Sequence, residues 1–448
     1  MQTRREFIKT GVLGTAGLTL AGLSVPGRSF ASVLGSNDKI RVGVIGFSDR
    51  FRSSLLPAFQ ANAKELNFEI VAVSDIWKLR REAALKHFKE EYGQDIQVFR
   101  NNEELYDARI CDAVIISTAD FQHARHCIEA VTAGCDAYVE KPFAETMEDA
   151  RAALKAVQQT GKIVQIGSQR RSAPNYQAAN EYLRSGKFGK VTMVEMSWNV
   201  NQPGRWRRKD LVSKCFEADT DWNRFLLNRP KEAWDPRKYL EYRLFWPFSS
   251  GIPGQWMSHQ IDTVHWFTGL THPRSVVAGG GVYCWKDGRR NYDTLTAVME
   301  YGDDAGKQNF QVLYSSRFHN EAGGVKELYF SNGGTLNLDT NQISPEGGLQ
   351  QWAADEMGMP ANLLEEYKLP DVSVDTAANM GGDPMTSLHM RNWMECVRSR
   401  TETNAPVEAG YNHSIATIMC NAAVRTGEKV VFDEATQEVL AGGKVFQY

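Results

Sequence analysis

Ile40-Arg41-Val42-Gly43-Val44-Ile45-Gly46 decides the fold of this chain. A short apolar run that ends on a glycine reads as a parallel strand buried on both faces. The polar turn Ser48-Asp49-Arg50 follows, and then a helix from about Ser53 to Asn62. The same unit recurs downstream. Glu69-Ile70-Val71-Ala72-Val73-Ser74 is the next strand, with Asp75 at its carboxyl end, and a charged amphipathic helix runs from about Lys78 to Tyr92. Ala113-Val114-Ile115-Ile116-Ser117-Thr118 is another strand, followed by a helix around His123 to Ala133. Ala137-Tyr138-Val139 ends at Glu140-Lys141-Pro142. The helix Met147 to Gln159 and the strand Ile163-Val164-Gln165-Ile166 complete the run. Strict alternation of apolar strands with helices predicts a doubly wound parallel sheet, α/β in class.

The turn after the first strand is where a dinucleotide fingerprint falls. G-x-G-x-x-G would occupy Gly46, Ser48 and Phe51, and only Gly46 matches. The second glycine normally lets backbone approach a pyrophosphate, and the third lets helix pack on strand. Ser48 is small, and its hydroxyl offers a hydrogen bond to a phosphate. Phe51 requires the helix to sit farther out or to start differently. A helix N-terminus there still offers free N–H groups to an anion. Asp75 stands where an acidic residue accepts the adenosine ribose hydroxyls, which favours NAD over NADP. Lys78, Arg80 and Arg81 are placed to serve a 2′-phosphate instead, so NADP stays open.

Beyond Gly167 the period changes. Val191-Thr192-Met193-Val194-Glu195-Met196-Ser197-Trp198-Asn199-Val200 alternates and reads as a strand. Further strands are expected over Ser275 to Cys284, Thr294 to Tyr301, Asn309 to Ser315 and Lys326 to Phe330. This predicts an α+β domain with a largely antiparallel open sheet, one face backed by helices. Helices over Met385 to Val397 and Gly410 to Thr426 close the fold. The Arg- and Trp-rich stretch from about Asn201 to Phe248 is expected as a long insertion over the cleft, and Gly347 to Asp383 as a loop-rich excursion. The expected domains are 38–166 and 167–448.

At the start, Met1-Gln2-Thr3-Arg4-Arg5-Glu6-Phe7-Ile8-Lys9 sets a twin arginine before an apolar stretch from Gly11 to Val25, and Ser29-Phe30-Ala31 offers a small-residue cleavage site. Residues 1–31 therefore read as a twin-arginine export signal cleaved near Ala31, with a periplasmic mature protein. The apolar stretch is too short and Gly-rich for a membrane span, and no Cys follows it until Cys111, so no stable membrane anchor is expected. A net charge of −3 carries no nucleic-acid footprint. Seven scattered cysteines without a CxxC pair are expected as buried thiols. Trp206, Trp222, Trp246, Trp256 and Trp266 crowd one region, which suits sugar faces as well as core filling.

Glu140-Lys141-Pro142 at a strand end, with His123 closing Ser117-Thr118-Ala119-Asp120-Phe121-Gln122-His123, resembles the glucose–fructose oxidoreductase/inositol dehydrogenase (Gfo/Idh/MocA) family. Gly167-Ser168-Gln169-Arg170-Arg171-Ser172 is similar to the family segment that enters the second domain. Gly186-Lys187-Phe188-Gly189-Lys190-Val191 resembles the turn before its first sheet strand. Asp221-Trp222 and the aromatic stretch to Trp246 resemble members that carry export signals. Gly254-Gln255-Trp256-Met257-Ser258-His259-Gln260-Ile261-Asp262 is similar to the active-site helix, and Ala422-Ala423-Val424-Arg425-Thr426-Gly427 also fits. The resemblance covers nearly all of Ile40 to Asp433.

It implies an N-terminal Rossmann domain and a C-terminal α+β domain whose open sheet often mediates dimers or tetramers. It implies that Lys141 stands beside the substrate hydroxyl and the nicotinamide, with a lowered pKa, as an acid/base. Pro142 aims it, in the family often through a cis bond, and His259 is the second acid/base group. Gly46, Ser48, Asp75, His123 and Glu140 are expected to line the dinucleotide, Glu140 orienting ribose or Lys141. Arg170, Trp206, Tyr239 and Asp262 are expected on the substrate side, Asp262 also as a group orienting His259. Gln255 stands where many members carry Asp, which puts a carboxylate-assisted dehydrogenase mechanism in doubt. His259, Asp262 and His265 recur every three residues and diverge on a helix, so no metal is expected.

Export and chemistry combine in one expectation. A redox enzyme outside the cytoplasm must keep its cofactor and regenerate it. The chain therefore reads as an exported oxidoreductase with retained nicotinamide dinucleotide, acting on a carbohydrate or polyol hydroxyl. Two alternatives stand beside it: a redox-neutral NAD-dependent glycoside hydrolase or lyase on the same scaffold, and a non-catalytic carbohydrate-binding protein that has lost its cofactor. The expected partners are a small carbohydrate or glycoside and a second or further copy of the chain.

Overall fold

The computed structural model describes residues 38–302, 306, 309–371 and 383–447. The expected export signal, residues 1–31, lies outside them, as does part of the 347–383 excursion. Six strands build the first sheet: β1 (Ile40–Ile45), β2 (Phe68–Ser74), β3 (Gln97–Phe99), β4 (Ala113–Ile116), β5 (Asp136–Val139) and β6 (Val164–Ile166). They pair in parallel in the order β3-β2-β1-β4-β5-β6. In β1 only Arg41 is exposed, and β4 is wholly buried, because helices cover both faces. The order reverses between β1 and β4, so a crevice opens at their carboxyl ends. Gly46 and Thr118 lie at its floor.

The helix expected from Ser53 begins differently. Residues Phe51–Leu55 form a wide turn in which the Leu56 N–H reaches the Phe51 carbonyl, five residues back, and a regular helix then runs over Leu56–Leu66. Phe51 fills the space a glycine would leave, its ring 5.8 Å from that of Phe47, both fully buried. The wide turn absorbs the extra bulk. The short strand β3 and the helix Asn102–Asp107 have too few residues to show a period, and the sequence does not reveal them.

The second sheet has eleven strands: β7 (Val191–Asn199), β8 (Ser275–Gly281), β9 (Thr294–Tyr301), β10 (Phe310–Arg317), β11 (Val325–Ser331), β12 (Gly334–Asn337), β13 (Gln342–Ser344), β14 (Tyr367–Lys368), β15 (Val430–Asp433), β16 (Glu438–Ala441) and β17 (Lys444–Val445). Only β7 and β10 pair in parallel; every other neighbour is antiparallel. One face is core: Met196, Ala297, Met299, Val312, Tyr314 and Tyr329 point into it. Helices Ser258–Thr268 and Val407–Thr426 pack beneath. The strand expected to reach Cys284 stops at Gly281. The Asp293 carboxylate takes the N–H groups of Tyr283, Cys284 and Trp285 at 2.9, 2.9 and 2.7 Å and turns the chain out of the ladder.

The stretch after β7 is a strap rather than a free loop. A backbone bridge joins Thr220 to Trp77, Asp221 donates to the Ile76 carbonyl at 3.3 Å, and Gln122 Nε2 donates to the Phe225 carbonyl at 2.7 Å. Ser249 Oγ donates to Asp120 at 2.6 Å. The strap thus crosses the mouth of the crevice and is pinned on both sides of it.

Candidate active site

Gly46, Ser48, Asp49, Asp75 and Thr118 from the first sheet, and Arg205, Trp206, Arg208, Tyr239 and Arg243 from the strap, enclose a cleft of about 410 Å³. Gly46 has φ +87°, and a Cβ there would meet Thr118 Cγ2 at 2.9 Å and the Ser117 carbonyl at 3.2 Å. No other residue fits that turn. Asp75 lines the cleft, with its two oxygens accepting the N–H groups of Phe47 and Trp77 at 2.9 Å each. Burial raises its pKa. Each oxygen keeps a lone pair toward the cleft.

Ser48 was expected to offer its hydroxyl to a phosphate. That proton instead goes to Ser117 Oγ at 3.3 Å, while Ser48 Oγ accepts the Phe51 N–H at 3.1 Å, so the side chain caps the wide turn. Charge takes its place. Arg52, Arg80 and Arg208 converge on Asp49 at 2.5, 2.9 and 3.0 Å. Burial alone would raise the Asp49 carboxyl; the guanidinium groups outweigh it and hold it well below the carboxylate range. Three cations share one carboxylate, which leaves two positive charges unmatched. A dinucleotide's pyrophosphate carries two negative ones. Together with Gly46 and Asp75, this donor set fits NAD. Arg81 gives one N–H to the Asp75 carbonyl at 2.7 Å and so braces the turn that carries Asp75.

Lys141 stands at the end of β5, and its peptide bond to Pro142 is cis. His123 holds this turn: Nδ1 lies 2.8 Å from the Pro142 carbonyl and Nε2 3.3 Å from that of Thr118. Burial lowers the His123 pKa. The Lys141 ammonium donates to the Gln255 backbone carbonyl at 2.6 Å. Gln255 lies in a second wide turn, Pro253–Met257, at the head of the helix Ser258–Thr268. Such turns recur at functional sites. Burial pulls the Lys141 pKa down to about 7, against the opposing charge of Glu140. Glu140 accepts Arg50 Nε at 2.9 Å and the Lys141 N–H at 3.3 Å, so it positions the lysine through its own backbone. Burial raises the Glu140 carboxyl, and Arg50 and Lys141 reverse this and lower it.

His259 lines the same end of the cleft, its ring stacked on Trp198 at 5.9 Å. Burial, and then Lys141, drive its pKa well below the usual range, so the ring is neutral at pH 7. Among the described residues no side chain hydrogen-bonds it, which leaves its nitrogens to the cleft. The carboxylate missing at Gln255 is supplied from behind. Gln255 Nε2 donates to Asp120 at 2.6 Å, and Gln255 Oε1 accepts Arg243 Nε at 2.8 Å. Asp120 lay in a quoted motif without an assigned role; only the fold brings residues 120 and 255 together.

Three expected substrate residues are placed otherwise. Arg170 is buried in an ion pair with Glu327, its guanidinium 5.7 Å from the Trp198 ring, and supports the stack behind His259 without lining the cleft. Asp262 is locked onto Arg171 by two bonds of 2.8 and 2.9 Å, and so does not orient His259. His265 turns to Tyr301 at 2.9 Å, so the three-residue repeat faces three different partners. Tyr239 does line the cleft, but at the Asp75 end, edge-on to Trp77 at 6.1 Å. Trp206 lines it at the Lys141 end, against Trp256 at 5.8 Å. Arg50, Arg205, Arg208 and Arg243 were not foreseen; the last three were signalled only by the arginine density of the strap sequence, and Arg50 only by its place in the turn after β1.

Residues 40–168 match the oxidoreductase family with an NAD-binding Rossmann fold. This domain belongs to the Gfo/Idh/MocA family. Over 236 residues the chain is 28% identical to inositol 2-dehydrogenase of Salmonella typhimurium, covering 51% of this chain and 67% of the relative. It is 30% identical over 293 residues to 1-carboxy-3-chloro-3,4-dihydroxycyclohexa-1,5-diene dehydrogenase of Comamonas testosteroni, covering 64% and 62% of the two. The crystal structure of the WlbA dehydrogenase from Bordetella pertussis in complex with NADH and UDP-GlcNAcA superposes with a TM-score of 0.63 at 17% identity, over 89% of this chain and 99% of that one. That likeness is one of fold, and it spans both domains.

Proposed function

We propose that this oxidoreductase is exported, keeps its NAD bound, and oxidises a hydroxyl of a carbohydrate or polyol. The observation that carries the reading is the Lys141 ammonium, held at a pKa of about 7 beside neutral His259 at one end of an NAD-fitting cleft. A nicotinamide dinucleotide held by Gly46, Asp75 and the Asp49 arginines would supply the hydride acceptor for the carbinol carbon. Lys141, as the neutral amine, takes the hydroxyl proton, and the Gln255 carbonyl and Glu140 fix its direction. His259 holds a second position for hydrogen bonding or proton transfer to the same sugar.

The names of the relatives support a polyol or ring hydroxyl as the reacting group. Retention is supported by the strap and by Arg208, which reaches from it to the nucleotide loop. The twin-arginine segment supports export. The Lys141 environment argues against a merely binding role, since a lysine of ordinary pKa would serve for that. A redox-neutral cleavage would use the same residues, with the hydride returned to the product.

Protein produced in the cytoplasm and purified without added nucleotide is denatured, and the released small molecules are identified by mass spectrometry. Stoichiometric NAD(H) is the expected result. Its absence, with added NAD also failing to bind, overturns the reading.

A further inference from the structure

Six arginines line the cleft: Arg50, Arg80, Arg205, Arg208, Arg224 and Arg243. Arg50 is paired with Glu140, Arg80 and Arg208 with Asp49, and Arg224 with Glu103 and Glu129; Arg243 stands 3.9 Å from Asp120. Arg205 alone has no carboxylate within ion-pair distance among the described residues. Its guanidinium donates to the neutral Gln202 side chain, at 2.7 Å.

Its place in the cleft is defined by aromatic rings. The guanidinium lies 5.5 Å from the Trp256 ring, Trp256 stacks on Trp198 at 5.6 Å, and Trp198 stacks on His259. Trp256 directly follows Gln255, which accepts Lys141. Arg205 therefore borders the reacting end. The turn that presents it is strained: Trp206 has φ +65°, a conformation that bulky residues rarely adopt. Packing of the Trp206 ring on Trp256 and on Phe318, at 4.9 Å, holds the strain. A half-buried cation on such a support, facing Arg243 rather than an acid, is incomplete without an anion. Consistent with this, burial, Arg243 and Arg208 pull its pKa down to about 10.

We propose that the substrate is an acidic sugar, a uronic acid or a sugar chain ending in one, whose carboxylate pairs with Arg205 while its ring lies along Trp206 and Trp256. The planar fork of Arg205 matches a carboxylate with two parallel hydrogen bonds, one charge against one. This inference rests on the reaction proposed above and deepens it.

The test uses the full chain with NAD and matched pairs of sugars: glucose with glucuronate, galactose with galacturonate, mannose with mannuronate, and the corresponding sugar phosphates. Turnover is followed by the bleaching of an artificial electron acceptor that reoxidises the bound nicotinamide. For the pair that reacts, kcat/KM is expected to favour the uronate by about tenfold or more. Arg205→Gln is expected to remove most of that preference through KM, and Arg205→Lys to keep part of it; nucleotide content and melting temperature report that both variants are folded. Equal or better use of the neutral sugar, a preference for the phosphate, or an unchanged preference in Arg205→Gln overturns the acidic-sugar assignment and leaves the redox reading standing. Failure of every sugar to reduce bound NAD overturns both.

Discussion

Lys141 is a cation that the fold would rather not charge. Its pKa falls from 10.5 toward about 7 because burial outweighs Glu140. Oxidation of the substrate hydroxyl is therefore expected to rise with pH as Lys141 loses its proton around pH 7, and to level off above, in a pH–rate profile. Lys141→Ala should lower turnover by roughly a hundredfold to ten-thousandfold with NAD still bound. Stability carries the opposite sign. The folded protein resists protonation of Lys141, so the cost is full below about pH 7 and vanishes as pH rises toward 10.5. Lys141→Met should melt higher than the parent at pH 7, with the gap closing in alkali. Residues at this scale were legible where the strand end fixed them, as for Lys141 and Asp75. Arg170 and Asp262 were misplaced because a charged residue's partner, Glu327 or Arg171, is chosen by the fold.

At the scale of elements, the strap matters most. It lacks long periodic segments, and it is tied to the first domain by hydrogen bonds to Ile76, Asp120 and Gln122, by ion pairs from Arg208 and Arg224, and by rings packed on Trp77 and Phe121. Arg208 is its link to the nucleotide loop. Arg208→Ala removes one of the three cations on Asp49, and the expected outcome is faster loss of NAD on repeated gel filtration, with melting temperature changed little, since the pair with Asp49 is partly exposed. Unchanged retention would show that the strap holds NAD without this charge. Both parallel-sheet strands and the active-site helix were readable from period and punctuation. The two wide turns were not: they are answers to bulk at Phe51 and to packing of Gly254 on Pro142, whose Cγ a Cβ would meet at 3.0 Å.

The whole molecule presents the outer face of the eleven-stranded sheet to solvent. Val277, Val298 and Leu313 stand side by side on it, in register across β8, β9 and β10. Such a row suits a second copy of the chain, and we expect a homodimer or homotetramer built on this face. Leu313→Arg should lower the mass seen by light scattering without altering the far-ultraviolet spectrum. The sequence announced this face through alternation, but β12 to β17 were too short or too polar to announce themselves. Cysteine usage is mixed: Cys127, Cys135, Cys215, Cys396 and Cys420 are buried, whereas Cys284 is exposed, contrary to the expectation of buried thiols throughout.

The strap also sets a clock. A cover pinned on both sides of a crevice opens only when several bonds let go together, and such openings belong to local unfolding, with their own dependence on temperature and denaturant. The lifetime of the bound nucleotide then becomes a property of the chain's mechanics, indifferent to how much nucleotide the surroundings hold. On the export proposed above, each copy would leave its place of synthesis with one nucleotide aboard, and its service would end when the strap first gives way.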